Sequence, residues 1–373
     1  MSKWLLSAVS LAAILVLPAL ESRAEPNSAA WKELVKAARQ EGKVEVILSG
    51  QVPRLLRVAM PEFEKKYGVK VNFQTGSGRA HSERILAERR VGRFTVDIWL
   101  GGANTALKTL LPNKVLAPVP GLLVDPEVAN ESLWYKGKHY YSDPKHRYIF
   151  VWGASPARNV AINTNMVKPE EIKSYADLLD PKWKGKIVSW SPGKQGTGAS
   201  AVPMYLNPKI GETWFRRWAT EMKVTIVEDA RQGAEWVALG RFPIGMFGMT
   251  TQAEVLRSQG LPVIGYLPHA MAEGEVLSAS AANIMAVDRA PNPNAMKLFL
   301  NWVLSRDAQS LFLKTAKRID SLRTDVDNSV LDEVYRIDPK GDYFVAFAQD
   351  DYINRQAEII ENLRKIMREA GYK

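Results

Sequence analysis

Residues 191–200 read SPGKQGTGAS, between the apolar runs Ile187-Val188-Ser189-Trp190 and Ala201-Val202-Pro203-Met204-Tyr205-Leu206. A strand, a glycine-rich turn and a helix in that order form an arrangement that holds anions. The first N–H groups of a helix lack an intrahelical partner, and the helix dipole favours negative charge beside them. Gly196-Thr197-Gly198-Ala199-Ser200 offers several N–H groups and two hydroxyls to an oxyanion. The pattern G-x-G-x-x-A at 196–201 also matches a dinucleotide fingerprint. However, no acidic residue stands at a strand end ~20 residues further on to hold a ribose. Lys194 precedes the last glycine, so this is not a Walker loop. There is no G-x-S-x-G elbow and no H-E-x-x-H, and the histidines at 81, 139, 146 and 269 are scattered. These absences argue against catalysis, a bound cofactor or a metal site and leave capture of an anion.

Further polar groups stand where strands are expected to end. Val44–Leu48 predicts a strand closing on Ser49-Gly50, Val69–Phe73 one closing on Gly76-Ser77-Gly78, and Thr95–Leu100 one closing on Gly101-Gly102. Amphipathic helices are expected between them, at about 52–66 and 82–91, after a first helix capped by Ser28 and stopped by Gly42. This β-α-β-α-β order predicts an open parallel sheet with helices on both faces. Ligands bind beyond the carboxyl ends of such strands, so Ser49, Ser77, Arg79 and Gly102 are candidate contacts. Turn chemistry alone also favours these residue types. His81 has no second metal-spaced partner and is read as a capping or rim residue.

A second unit repeats the style. Strands are expected at 186–190, 224–227 and 243–247, with helices near 199–206, 211–221 and 229–239. Asp229 followed three residues later by Gln232 fits a capping box, and Arg231 beside it is a candidate for bidentate contact with a carboxylate or phosphate. Apolar stretches at 147–163, 263–267 and 281–287 are read as crossings between the units. A last helix, about 350–369, would turn Ile353, Ala357, Ile360, Leu363 and Met367 to one face.

Composition narrows the setting. Met1-Ser2-Lys3, an apolar run to Leu20 and small residues at Ser22 and Ala24 predict a cleavable secretory signal over 1–24. The chain has no cysteine, so an exported product must rely on its core rather than on disulfides. Its formal charge is +10, but lysines and arginines are spread among acids rather than clustered, which disfavours nucleic acid as a partner and leaves an anionic small ligand.

Three segments carry a resemblance. PEFEKKYGV at 61–69, AINTN at 161–165 and SYADLLDPKWKGKI at 174–187 resemble the family 1 extracellular solute-binding proteins, in particular the branch with the ferric-ion-binding proteins. The resemblance implies the type II periplasmic-binding-protein fold: two α/β lobes, each a mostly parallel sheet flanked by helices, closing on a ligand. It implies a periplasmic receptor that passes its ligand to an ABC permease. The turn at 196–200 would then face the first lobe, with Thr197, Gly198 and Ala199 as ligand contacts. Ferric-binding relatives carry a tyrosine pair after the strand equivalent to 243–247, where this chain reads Gly248-Met249-Thr250-Thr251. Thr250 is therefore expected to hydrogen-bond an organic or phosphorylated ligand, and Tyr140-Tyr141 are read as packing or rim residues. The lobes are expected at 25–115 with about 265–310, and at about 116–264 with 311–373. The expected function is non-catalytic capture, by a monomer, of an organic acid, a phosphorylated compound or chelated iron. A receptor for ferric iron itself and a ligand-sensing subunit are the alternatives.

Overall fold

The computed structural model describes residues 26, 28–49, 52–193, 198–279, 281–316, 318–341 and 343–372. The expected signal at 1–24 lies outside them. The first helix, Ala29–Glu41, has the expected ends: Ser28 Oγ accepts from Trp31 N at 3.1 Å, and Gly42 turns left-handed at φ +73. Its buried stripe of Trp31, Leu34 and Ala38 follows the helical period.

Strands β1 (Lys43–Ser49), β2 (Lys70–Gly76) and β3 (Ile98–Leu100) form the expected parallel triplet, with β1 in the middle. Helix Gly78–Arg90 starts four residues before its expected position because Ser77 caps it, accepting from Ala80 N. Strands β4 (Leu116–Ala117), β5 (Tyr140–Tyr141) and β6 (Phe150–Val151) pair into this same seven-stranded sheet, whose order is β2-β1-β3-β14-β6-β5 with β4 on β14 (Asn283–Val287). The segment from 116 to 151, expected with the second lobe, thus hydrogen-bonds within the first sheet. At the amino end of β3, buried Asp97 accepts from Glu45 N at 2.7 Å, Asn292 N at 2.8 Å and Asn292 Nδ2 at 2.9 Å. It ties the sheet to helix Pro293–Val303. Behind the sheet, Phe63 packs 5.0 Å from Phe299 and 5.1 Å from Trp302. Truncating such a buried ring costs about 3–5 kcal/mol.

The second sheet runs β10 (Thr225–Val227), β9 (Ile187–Trp190), β11 (Ile244–Met246), β8 (Val160–Asn163), β12 (Val263–Ile264). Its β10-β9-β11 part is parallel, and β8 pairs antiparallel with both β11 and β12. The last helix, Asp350–Glu369, buries Ile359, Leu363, Ile366 and Met367 in this lobe's core. Ala357, expected inside, is exposed, because the buried stripe follows the i, i+4, i+7 row from Ile359.

A third sheet joins the lobes: β15 (Asp320–Ser321), β7 (Gly153–Ala157), β13 (Glu275–Ser278), β16 (Tyr343–Val345). The single crossing expected over 147–163 is therefore divided among β6, β7 and β8, one in each sheet. Register shows how the lobes connect. Val151, the last residue of β6, lies opposite Asn283, whose neighbour Ile284 lies opposite Leu100 at the carboxyl end of β3. Val160, the first residue of β8, lies opposite Met246 at the carboxyl end of β11. The crossing chain leaves one parallel triplet at its carboxyl edge and enters the other at its carboxyl edge, so these two edges are the ones the hinge strands join. A buried ion pair braces the hinge: Arg158 Nε, just past β7, donates to Glu275 Oε1 at the start of β13 at 2.6 Å.

Candidate functional site

On the first lobe's carboxyl edge, Ser49 ends β1 and is buried. Its Oγ accepts from Trp99 Nε1 at 3.2 Å. Gly101, at φ +156, lies so close that a Cβ there would fall 1.9 Å from Ser49 Oγ. Asn283 secures this turn, since Gly101 N donates to Asn283 O and Asn283 Nδ2 donates to Gly101 O, each at 3.1 Å. The Ser49 hydroxyl is thus engaged inside the sheet. Gly102 is half-buried and starts the short helix Ala103–Thr105. Thr105 fills the space beside Gly78, where a Cβ would fall 2.6 Å from its Oγ1. Ser77 is exposed and caps its helix, and the exposed Arg79 pairs with Glu83 at 2.8 Å.

His81 departs from its expected capping or rim place. It is buried, edge-on to Trp99 at 6.1 Å, and its Nε2 is the atom that a Cβ on Gly76 would approach to 2.7 Å. Burial pulls its pKa below the usual histidine value, with Arg84 adding to the effect.

On the second lobe's edge, β9 ends at Trp190, and Pro192 and Gly193 behind it are buried. Thr197 lies outside the described residues. Gly198 and Ala199 are the first two residues of helix Gly198–Leu206, so their N–H groups belong to the unpaired first turn. Asp229 caps helix Ala230–Ala238 by accepting from Arg231 N at 2.8 Å. The capping box expected with Gln232 is replaced by this shorter i, i+2 turn. The Arg231 guanidinium is largely exposed and pairs with Glu235 at 3.0 Å, one turn along its own helix. Thr250 is buried as the first residue of helix Thr250–Ser258. Helices therefore begin just beyond β9, β10 and β11, and their amino ends, at 198, 230 and 250, gather on the carboxyl edge.

The turn after β11 was not legible in the sequence. Phe247 and Gly248 are both left-handed, at φ +50 and +67, and Phe247 is fully buried, stacked on Phe215 at 6.0 Å. Left-handed backbone at a bulky residue costs about 1–3 kcal/mol and persists only where packing enforces it. The Trp190 ring lies over this turn, where a Cβ on Gly248 would meet its Cε3 at 2.5 Å. Trp190 thus fills the space above the turn at Gly248, where ferric-binding relatives carry a tyrosine pair. Tyr140 and Tyr141 pack in the first-lobe core, the former 5.9 Å from Phe347 and the latter 5.3 Å from Phe150. Burial pushes Tyr140 up to about 12 and raises Tyr141 as well, so both stay protonated phenols at neutral pH.

A cavity of about 590 Å³ beside the hinge contains none of the candidate residues. The arginines in its walls are engaged internally: Arg158 with Glu275, Arg323 with Asp325 at 2.7 Å, and Arg336 with the Leu331 carbonyl at 2.8 Å.

The comparisons agree with this architecture. The model of the family described as "Bacterial extracellular solute-binding protein" matches residues 44–315. Iron uptake protein A1 of Synechocystis is 22% identical over 260 residues, covering 67% of this chain and 68% of that protein. Trichodesmium FutA, solved with iron and citrate ligands, superimposes with a TM-score of 0.61 at 20% identity, over 89% of this chain and 100% of that one. Bordetella ferric binding protein gives 0.62 at 21% identity, over 87% and 98%. AfuA of Actinobacillus pleuropneumoniae, solved with fructose 6-phosphate, gives 0.54 at 18% identity, over 86% and 99%. The specific block at 174–187 serves the fold: Asp177 Oδ2 accepts from Lys173 N and Ser174 N, Asp180 Oδ1 accepts from Lys182 N, and Trp183 is buried. Two parallel triplets joined carboxyl edge to carboxyl edge by hinge strands, with the family match over most of the chain, make this protein a member of the bacterial extracellular solute-binding proteins, with the type II periplasmic-binding fold.

Proposed function

We propose that the chain is the periplasmic substrate-binding subunit of an ABC-type importer. It captures a small anionic solute between its lobes and delivers it, chemically unaltered, to a membrane permease. The observation that carries this reading is topological. The hinge strands join the two carboxyl edges, and the second of these gathers the amino ends of three helices. Unpaired N–H groups and aligned dipoles at those ends favour negative charge. Gly198 and Ala199 are the proposed amide donors, with Thr197 and Thr250 as hydroxyl contacts. On the first lobe Ser77, Arg79 and Gly102 are the proposed contacts, and Ser49 acts through the packing of the turn at Gly101. Arg231 would have to leave Glu235 to reach a ligand, which an exposed i, i+4 pair permits at little cost. Closure follows if the ligand touches both lobes only in the closed form, because it then stabilises that form by its differential affinity.

Organic acids, phosphorylated compounds and iron carried as an anionic chelate all meet this chemistry. Bound citrate in FutA and bound fructose 6-phosphate in AfuA support the anionic class. The mature chain, from Glu25, would be a periplasmic monomer without catalytic activity.

The test is a thermal-shift screen followed by calorimetry with citrate, ferric citrate, fructose 6-phosphate and inorganic phosphate, with spermidine as a cationic control. An anion at 100 times its Kd should add about 2.7 kcal/mol of stability, and scattering should show the particle compacting. Binding by spermidine alone, or turnover of a bound compound, would overturn the reading.

A further inference from the structure

The flanks of the candidate anion site rest on one element that is distant in sequence. Helix Gly198–Leu206 packs against the C-terminal helix Asp350–Glu369. On the other flank, the chain leaving β9 lies flat on the same helix. Arg364 Nε donates to the Gly193 carbonyl at 2.9 Å. A Cβ on Gly193 would fall 2.6 Å from Arg364 Cγ, 3.0 Å from its backbone N and 3.2 Å from its Cα. Only glycine lets the chain approach the helix backbone this closely, and a main-chain nitrogen in mid-helix cannot retreat. The guanidinium is held in turn by its own helix, with Nη1 donating to Glu361 Oε2 at 3.2 Å. The helix is anchored in the second core through Leu363, Ile366 and Met367.

We propose that Arg364 is a positioning residue for the ligand site. The C-terminal helix, through this side chain, sets where the amides of Gly198 and Ala199 stand relative to β9. Arg364 acts through the Gly193 carbonyl and need not touch the ligand. The inference rests on the reading that these amides hold the solute. It assigns the C-terminal helix a role in affinity as well as in packing.

Two readouts separate this proposal from the reading it rests on. The first needs no ligand: hydrogen exchange of the full-length mature protein, comparing wild type with Arg364→Ala, Arg364→Lys and Gly193→Ala. Loosening of this contact should speed exchange of the helix's hydrogen-bonded amides at Val202 and Met204 about tenfold in Arg364→Ala and Gly193→Ala. The β1, β2 and β11 amides should be unchanged, and lysine should restore part of the protection. Unchanged exchange at those positions, or a uniform rise across the second lobe, would sink the proposal. The second readout is titration with citrate and fructose 6-phosphate. Where wild type binds either probe, Arg364→Ala should weaken it about tenfold at unchanged unfolding temperature, with partial recovery by lysine. A loss that vanishes in 0.5 M salt would mark long-range charge attraction and overturn positioning. If wild type binds neither probe, the titration counts against the anion-capture reading, and the exchange pattern alone decides the role of Arg364.

Discussion

Gly101→Ala is the most informative single change in the first lobe. A turn glycine beside a binding cleft serves either a ligand's close approach or the protein's own packing, and here the two readings predict different results. The added methyl would stand 1.9 Å from Ser49 Oγ and 3.1 Å from both Ser49 Cβ and its carbonyl oxygen. The hydroxyl must swing away by more than an ångström, which ends its 3.2 Å bond with Trp99 Nε1. Trp99 is fully buried, so its N–H is left without a partner at a cost of about 1–3 kcal/mol. Backbone at φ +156 adds strain of the order of 1–3 kcal/mol once a Cβ is present. The expected loss is thus about 3 kcal/mol, well above the ±0.5 kcal/mol of an ordinary surface change. Urea denaturation followed by near-ultraviolet circular dichroism measures it, as a lower midpoint at constant slope. The double variant Ser49→Gly/Gly101→Ala removes the clash and should recover about 1–2 kcal/mol relative to additivity. A Gly101→Ala protein within about 0.5 kcal/mol of wild type, or a double variant that is merely additive, would refute the packing account.

Burial pushes the Asp97 carboxyl up to about 6, against about 3.9 for an exposed aspartate. A raised carboxyl binds its proton more tightly in the folded chain, so its contribution is fully present below about pH 4 and is lost as pH rises through about 6. Wild type should therefore lose about 2–3 kcal/mol across that window relative to Asp97→Asn, and parallel pH profiles would contradict this. Glu275→Ala strands the Arg158 guanidinium at the hinge and should cost about 3–5 kcal/mol in urea denaturation; a change under about 1 kcal/mol would show that the pair is dispensable. With Tyr140 and Tyr141 held as buried phenols, ferric chloride should give no visible charge-transfer band. A coloured phenolate complex would show that a tyrosine site for bare ferric ion exists after all.

Legibility followed distance along the chain. The cap and stop of the first helix, strands β1 and β2 and the second-lobe parallel triplet could be read directly, because caps and periodicity depend on neighbours within about four residues. The strands at 116–117, 140–141 and 150–151 are two residues each, too short to show any period, and their membership of the first sheet depends on which edge was free. Among the site residues, the helix start at Gly198 was legible to within a residue, whereas the helix that Ser77 caps was expected four residues further on. The engagement of Ser49 with Trp99, the cover that Trp190 gives Gly248 and the left-handed turn at Phe247 were not.

From the sequence alone come the two-lobed α/β class, the family and an anion-suited helix start near 199. These are properties of composition and of short-range pattern, which survive whatever the chain does elsewhere. Tertiary structure alone decided that the Ser49 hydroxyl faces inward, that Arg231 pairs with Glu235, and that Arg364 holds Gly193 from 171 residues away. The reason is that a side chain's partners are set by what packing brings within hydrogen-bond reach, and the residues beside it in sequence do not encode that.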